Sequence, residues 1–254
     1  MSPQKITSIT SLRTHCEDCK LKTLCLPQAL GGFQTRMFED VVHQLPPVQE
    51  KNYLFRQGDK FNNLYIVRSG CVKQIVSSRD GNDQVVGFSL PGEMLGMDAI
   101  ASGKYSESAI ILKTATVCAL EYERFEELCE KIPGLAKQIL KMAGQELIDE
   151  HDLRISLSSK NSEEKLALFL SSLSTRFHLL GYSPDKFELP MGRSDIGNYL
   201  GMVPETISRT VKKLIRNGLI DANMRSIFIK DRKGLLELAG HCEVCPTVHI
   251  VNSK

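Results

Sequence analysis

Three thiols within ten residues, Cys16-x2-Cys19-x5-Cys25, are the densest chemistry in the chain. A tetrahedral metal site or a cubane iron–sulfur cluster takes four protein ligands, so a distant fourth must come from the folded body. The close pair sets two ligands on one turn, and the third returns through a loop. The candidates for the fourth are Cys71, Cys118, Cys129, Cys242 and Cys245. Cys71 and Cys118 fall in predicted strands and Cys129 in a predicted helix, where a thiol is ordinarily a small buried hydrophobe. Spacing alone leaves zinc and iron–sulfur both open. Zinc would be a permanent staple, whereas an iron–sulfur cluster is something oxidants destroy. Lys20 and Lys22 flank the motif and would offset the negative charge of thiolate ligation. The segment His15-Cys16-Glu17-Asp18-Cys19 is echoed by His241-Cys242-Glu243-Val244-Cys245, and His249 completes a Cys-x2-Cys-x3-His tail. A second metal there would need a further ligand such as His241.

A different chemistry is written from Ser194 to Lys233. Residues 194–200 can form a two-turn helix, Gly201-Met202-Val203 a short turn, and Pro204 the first position of a second helix running from Glu205 to about Asn217. Gly218 stops it. Helix, glycine-bearing turn, helix is the helix-turn-helix pattern. Ile207, Val211 and Leu214 would face the core, while Glu205, Ser208, Arg209, Lys212 and Arg216 would face a partner. Between Glu205 and Lys233 eight Lys/Arg stand against three Asp/Glu, a local +5. Arg209 can fork onto guanine O6 and N7, Glu205 can accept from cytosine N4, and Ser208 is short enough to touch a base edge. Lys212, Lys213 and Arg216 suit phosphates. Leu219-Ile220 and Ile227-Phe228-Ile229 read as a hairpin wing.

These groups must be carried by a scaffold of 254 residues, of which 42% are hydrophobic and 24% charged, with a net charge of only +2. That length predicts about two domains. The longest apolar run, Leu166 to Leu170, is too short for a membrane span or a secretory signal, so the chain is expected to be soluble and cytoplasmic. Clustered cysteines in that compartment bind metal or do redox chemistry more often than they pair. A helix is predicted over Phe33–Gln44, closed by Pro46-Pro47. From Val48 to Leu120, short apolar runs (64–67, 85–88, 109–112) alternate with turn signals at Gln57-Gly58-Asp59, Ser69-Gly70, Asp80-Gly81-Asn82 and Pro91-Gly92, which predicts an all-β roll. Pro133 opens one long helix carrying a heptad-like stripe of Leu140, Ala143, Leu147, Glu150 and Arg154, suited to pairing with a second copy. Asn161-Ser162-Glu163-Glu164 caps a further helix through His178, with a hinge near Leu157–Lys160. Residues 121–150 carry a local −4, so the near-neutral chain is dipolar. No P-loop, dinucleotide-binding glycine fingerprint, Ser/His/Asp set or His-x-x-x-His helix is present, and the six histidines are scattered, which disfavours an enzyme.

Taken together, these motifs resemble the CRP/FNR family of bacterial transcription factors, and within it the FNR-type branch. The resemblance covers nearly the whole chain. It is carried by the three N-terminal cysteines, Leu64-Tyr65-Ile66-Val67-Arg68-Ser69-Gly70, Gly92-Glu93-Met94-Leu95-Gly96, Cys118, Asp195-Ile196-Gly197-Asn198-Tyr199-Leu200-Gly201 and Glu205-Thr206-Ile207-Ser208-Arg209. It implies an α+β fold: a cyclic-nucleotide-binding-like β-roll, a long dimerisation helix and a C-terminal winged helix-turn-helix. The expected division is a Cys-rich segment 1–30, a β-roll 31–132, a helix 133–158 and a DNA-binding domain with its tail 159–254. The resemblance also implies that Cys16, Cys19, Cys25 and Cys118 hold an oxygen-labile 4Fe–4S cluster. It further implies that a homodimer binds a two-fold site with TTGAT-like half-sites, and that RNA polymerase meets surfaces near Ser69, Gly81 and Thr114. The cyclic-AMP branch anchors its ligand with a Glu and an Arg where this chain carries Met97 and Glu107, so no cyclic nucleotide is expected. Arg154 stands where the family pattern leads one to expect an apolar residue, and the tail after Gly240 lies outside that pattern.

The function expected is an oxygen-responsive regulator of anaerobic gene expression, active as a homodimer when it carries the cluster. The alternative is a CRP-type sensor of a small molecule or haem, with structural zinc on the cysteines; retained DNA binding after air exposure would favour it.

Overall fold

Two long stretches rich in β-branched residues form the spine of the N-terminal half: strand β3 (Asn63–Ser77) and strand β6 (Ser108–Glu121), paired antiparallel from Asn63↔Glu121 to Ile75↔Ser108. The computed structural model describes residues 15–240. Around the spine lie β1 (Val42–Gln44), β2 (Tyr53–Phe55), β4 (Asp83–Ser89) and β5 (Met94–Leu95). The sheet runs β1-β6-β3-β4, with β2 added to β6 and β5 to β3. Helix α1 (Gly32–Glu39) precedes it, and α2 (Tyr122–Lys131) and α3 (Pro133–Ser159) follow. The C-terminal part comprises α4 (Ser162–Leu179), β7 (Lys186–Glu188), α5 (Arg193–Leu200), α6 (Pro204–Arg216), β8 (Ile220–Asn223), β9 (Ser226–Ile229) and α7 (Arg232–Ala239). This is the β-roll, long helix and winged helix-turn-helix expected from the sequence. No helix among the described residues is long and apolar enough to cross a membrane.

Three local expectations are corrected. The helix predicted over Phe33–Gln44 ends at Glu39, and Val42–Gln44 pairs instead with Cys118–Leu120. A β-branched residue opposite a half-made sheet edge gains a ladder there that a helix would forgo. Ser69-Gly70, read as a turn, is an irregularity inside β3, where the pairing steps from Val67↔Val117 to Ser69↔Thr116 and then to Cys71↔Lys113. The wing has a third strand, β7, paired to β9, from a segment too short and polar to stand out in the sequence.

The chain buries two apolar clusters. One joins Leu26, Phe38, Leu64, Val67, Val117, Leu120, Phe125, Leu135 and Met142, so the N-terminal segment, the roll and the start of α3 share one core. The other crosses from Cys71, Ile75, Val85 and Phe88 on the sheet to Phe169, Leu173, Ile196 and Leu214 in the C-terminal part. Phe88, Phe169 and Tyr199 contact one another edge-on or tilted, with centroids 5.3 to 6.1 Å apart.

Polar locks surround that second cluster. Arg176 on α4 donates through Nε to Glu93 Oε1 at 2.8 Å and through Nη2 to Glu93 Oε2 at 2.5 Å and the Phe88 carbonyl at 2.5 Å. Lys73 meets Asp195 at 2.6 Å. Asn198 accepts from Val85 N–H at 2.6 Å and donates to the Asp83 carbonyl at 2.8 Å. Both side chains of the Arg176–Glu93 pair are only 14% exposed, so removing one charge strands the other in a poorly hydrated place. Glu93→Leu should therefore cost roughly 3 kcal/mol, read as a lower urea midpoint. Lys233→Met, which removes an exposed pair with Glu237, should leave the midpoint unchanged.

Candidate functional site

The Cys16–Cys25 segment is a succession of tight turns. Cys19 N–H donates to the Cys16 carbonyl at 3.3 Å, Lys22 N–H to Cys19 at 3.0 Å, Leu24 N–H to Leu21 at 2.8 Å, and Gln28 N–H to Cys25 at 3.1 Å. Each turn brings the chain back on itself, so widely spaced thiols end on one side. Glu39, at the end of α1, ties the segment down by accepting from the Cys16 backbone N–H and from His15 Nδ1. Leu24 is buried beside Gly92, whose φ of +92° strains any other residue and where an added Cβ would stand a tight 3.2 Å from Leu24 Cβ.

Under this segment lies Cys118, in the middle of β6 between Gln44 of β1 and Ile66 of β3. Cys16, Cys19, Cys25 and Cys118 line one small cavity, together with Lys22, Phe38, Gln44, Ile66 and Arg68. The structure thus brings together three thiols adjacent in sequence and a fourth about ninety residues on. Cys71 is buried in the second apolar cluster and Cys129 sits on α2 beside the first, away from the cavity lining. Cys242, Cys245, His241 and His249 lie outside the described residues.

Burial pushes the Cys16 thiol up to about 12, with Glu39, Cys118 and Cys19 adding to it. Burial likewise pushes Cys118 up to about 11, and it raises Cys25 with help from Cys118 and Cys16. Such thiols keep their protons until a cation takes their place. Among the described residues no three His, Cys, Asp or Glu side chains converge on a single ion. Four thiols on one cavity are the donor set that either a tetrahedral zinc or a cubane iron–sulfur cluster takes.

The helix-turn-helix is built as the spacing predicts. Met202 N–H donates to the Gly197 carbonyl at 2.7 Å, and a Cβ on Gly197 would stand 2.4 Å from Met202 O, so only glycine lets the two helices close. Ile207, Thr210, Val211 and Leu214 are buried; Glu205, Arg209, Lys212, Lys213 and Arg216 are exposed. Two residues are more engaged than their sequence suggests. Ser208 Oγ donates to the Pro204 carbonyl at 3.0 Å and accepts from Arg193 Nη1 at 3.0 Å. Lys213 pairs with Glu163 at the start of α4. Arg193, which the sequence reading missed, thereby joins the recognition face; its only signal was a cation just before the first helix of the motif.

On α3, Leu140 is 73% and Leu147 58% exposed, Ala143 is half-buried, and Glu150 and Arg154 are exposed. Ile148 and Ile155 extend the apolar face beyond the residues picked from spacing. The first turn after Cys25 (Leu26–Ala29) packs directly on α3.

A cavity of about 380 Å³ lies between the sheet, α3 and the C-terminal helices. Its wall carries Glu93, Asp98, Glu107, Glu146, Asp149 and Glu150 together with Lys165, while Arg176 is committed to Glu93. Glu107 is pushed up to about 8 by burial, then by Asp98 and Glu146. Glu146 is pushed up to about 7 by burial, then by Glu150 and Asp98.

Comparison with known proteins matches the cyclic nucleotide-binding domain over residues 47–132 and the Crp-like helix-turn-helix domain over 164–238. The chain is 37% identical over 227 residues to the fumarate and nitrate reduction regulatory protein of Escherichia coli, covering 89% of this chain and 91% of that protein. The chain belongs to the CRP/FNR family. It is 38% identical over 228 residues to the transcriptional activator protein anr of Pseudomonas aeruginosa, covering 90% and 93%. The solved structure of FixK2 from Bradyrhizobium japonicum superposes with a TM-score of 0.71 at 25% identity, covering 80% of this chain and 99% of that one. As a CRP/FNR member this protein is a DNA-binding transcription regulator, and its relatives are regulators rather than enzymes.

The raised carboxyls fix the sign of a pH effect. Glu107 and Glu146 bind protons more tightly folded than unfolded, so their contribution is fully present below about pH 4.5 and is lost as pH rises toward 8. Glu107→Gln, which cannot ionise, should flatten the fall in urea midpoint between about pH 5 and 8.

Proposed function

We propose that this protein is an oxygen-responsive transcriptional regulator of anaerobic gene expression, active as a homodimer when Cys16, Cys19, Cys25 and Cys118 hold a 4Fe–4S cluster. One observation carries the reading: four sulfurs from two distant parts of the chain line one cavity, next to a turn that packs on α3. The names of the Escherichia coli and Pseudomonas aeruginosa relatives agree with it. When bound, the cluster supplies an oxygen-labile bond network among the four thiolates.

The rest is done by the chain. Cys16, Cys19 and Cys25 draw the N-terminal segment onto β6, which seats Leu26 against the base of α3. That packing orients the exposed stripe of Leu140, Ala143, Leu147, Ile148 and Ile155 toward a second copy. Glu150 residues approach one another near the two-fold axis and repel, which keeps the monomer–dimer balance close, and Arg154 relieves part of that repulsion. Two recognition helices then reach two half-sites at once, whereas one alone binds poorly. Glu205, Ser208 and Arg209 read bases in a TTGAT-like half-site, and Lys212, Lys213 and Arg216 hold phosphates, Lys213 after giving up Glu163. Ser69 and Thr114 lie on neighbouring strands and Gly81 in the β3–β4 turn, on the exposed surface assigned to RNA polymerase. The division into segments 1–30, 31–132, 133–158 and 159–254, and a cytoplasmic location, belong to the same proposal.

Iron, sulfide and visible-spectrum analysis of anaerobic protein, with a gel shift and a sedimentation run before and after air, tests the reading. Iron with matching sulfide, a dimer that shifts DNA, and loss of all three in air are expected, and Cys118→Ser should behave as aired protein. Zinc alone, or DNA binding indifferent to air, overturns it. Arg209→Ala should cost about 1–3 kcal/mol of binding and relax preference at one base pair, while Lys212→Ala should weaken all sequences alike and lower the salt slope by about one.

A further inference from the structure

Arg68 stands in the β3 irregularity, unpaired between Val67↔Val117 and Ser69↔Thr116. An extra residue in a strand re-aims its side chain, and here the guanidinium lines the same cavity as the four cysteines. Its Nη1 donates to Gln44 Oε1 at 2.8 Å, and Gln44 is the register partner of Cys118 across β1 and β6. The cation is therefore held by the residue that pairs with the sheet cysteine, on the same cavity wall. It is half-buried, yet no carboxylate pairs with it among the described residues. A half-buried cation without a counter-charge is costly. Its neighbours are four groups that become anions together on taking up a metal centre. Its field already favours the thiolate form of both Cys16 and Cys118.

We propose that Arg68 is the positioning residue that balances the charge of the four-thiolate centre, and so sets its reduction potential and its lifetime in oxygen. The proposal rests on the cluster reading above. Of the cations adjacent in sequence, Lys20 is exposed and outside the cavity wall, and Lys22 lines the wall but is exposed and reaches the Glu17 carbonyl at 3.3 Å. Water and salt screen an exposed ammonium, but far less a fixed guanidinium under the loop. Glu39 bears on Cys16 with the opposite sign, so the loop is tied by an acid on one side and balanced by a cation on the other. Net charge and hydrogen bonding around a cluster are what tune its potential.

The test compares anaerobic wild type with Arg68→Gln, Arg68→Lys and Lys20→Gln. Iron and sulfide content of the wild type decides the cluster reading by itself. If that holds, Arg68→Gln is expected to move the one-electron potential to more negative values and to lose its visible absorbance in air several-fold faster. Arg68→Lys should recover most of both shifts, and Lys20→Gln should move neither. Wild-type potential and air lifetime in an iron-loaded Arg68→Gln protein overturn the proposal while leaving the cluster standing. If Arg68→Gln takes up no iron, loading of Arg68→Lys supports the charge role, and failure of both variants overturns it.

Discussion

Everything in this molecule turns on how a short N-terminal segment is laid across the middle of a sheet. Cys118 is held by its neighbours on both sides, Gln44 and Ile66, so its position is set by the sheet and does not depend on the loop. The loop must come to it. Consecutive turns from Cys16 to Cys25, the Glu39 tether and the burial of Leu24 and Leu26 bring it there. These are few contacts for a segment of this length, and several of them are polar and near the surface. In the proposed reading, a bond network through the sulfurs would fasten this loop, and its loss would loosen the packing at the base of α3.

The opposite face of the sheet is fastened differently. The buried Glu93–Arg176 pair, Lys73–Asp195 and the Asn198 hydrogen bonds hold the helix-turn-helix to the roll with directional, geometry-demanding contacts. Glu93 follows Gly92, the residue against which Leu24 packs, and Val67 exchanges backbone hydrogen bonds with this turn from the strand that also carries Arg68. The thiol cavity and the docking face are thus two sides of one turn. The cavity beside it carries Glu107 and Glu146, both raised by burial, together with Lys165 and the Glu93-paired Arg176.

Much of this was legible in the residues. The sequence places the cap of α4 at Asn161–Glu164 but points to a serine oxygen, whereas Asn161 accepts from Glu163 and Glu164 N–H; Pro204 opens α6 as read. Amphipathic spacing on α6 separated core from partner face because local period and burial coincide there. The three N-terminal cysteines could be seen, but the fourth could not be chosen by spacing, since contact between β6 and the loop is a long-range product of folding. For the same reason Arg68 did not stand out: Lys20 and Lys22 are near the cysteines in sequence, while Arg68 reaches the cavity through a bulge. Lys213 and Ser208 read as free recognition groups, yet Glu163 and Arg193 reach them from other helices. Val42–Gln44 followed a helix and was read as its continuation; only the partner strand shows otherwise.

The most direct measurement is Mössbauer spectroscopy of iron-57-enriched protein prepared without oxygen. The account predicts one dominant signal from a diamagnetic, all-thiolate four-iron centre, replaced by other iron species once air is admitted. A spectrum with no such centre in a well-folded, DNA-binding preparation would contradict it.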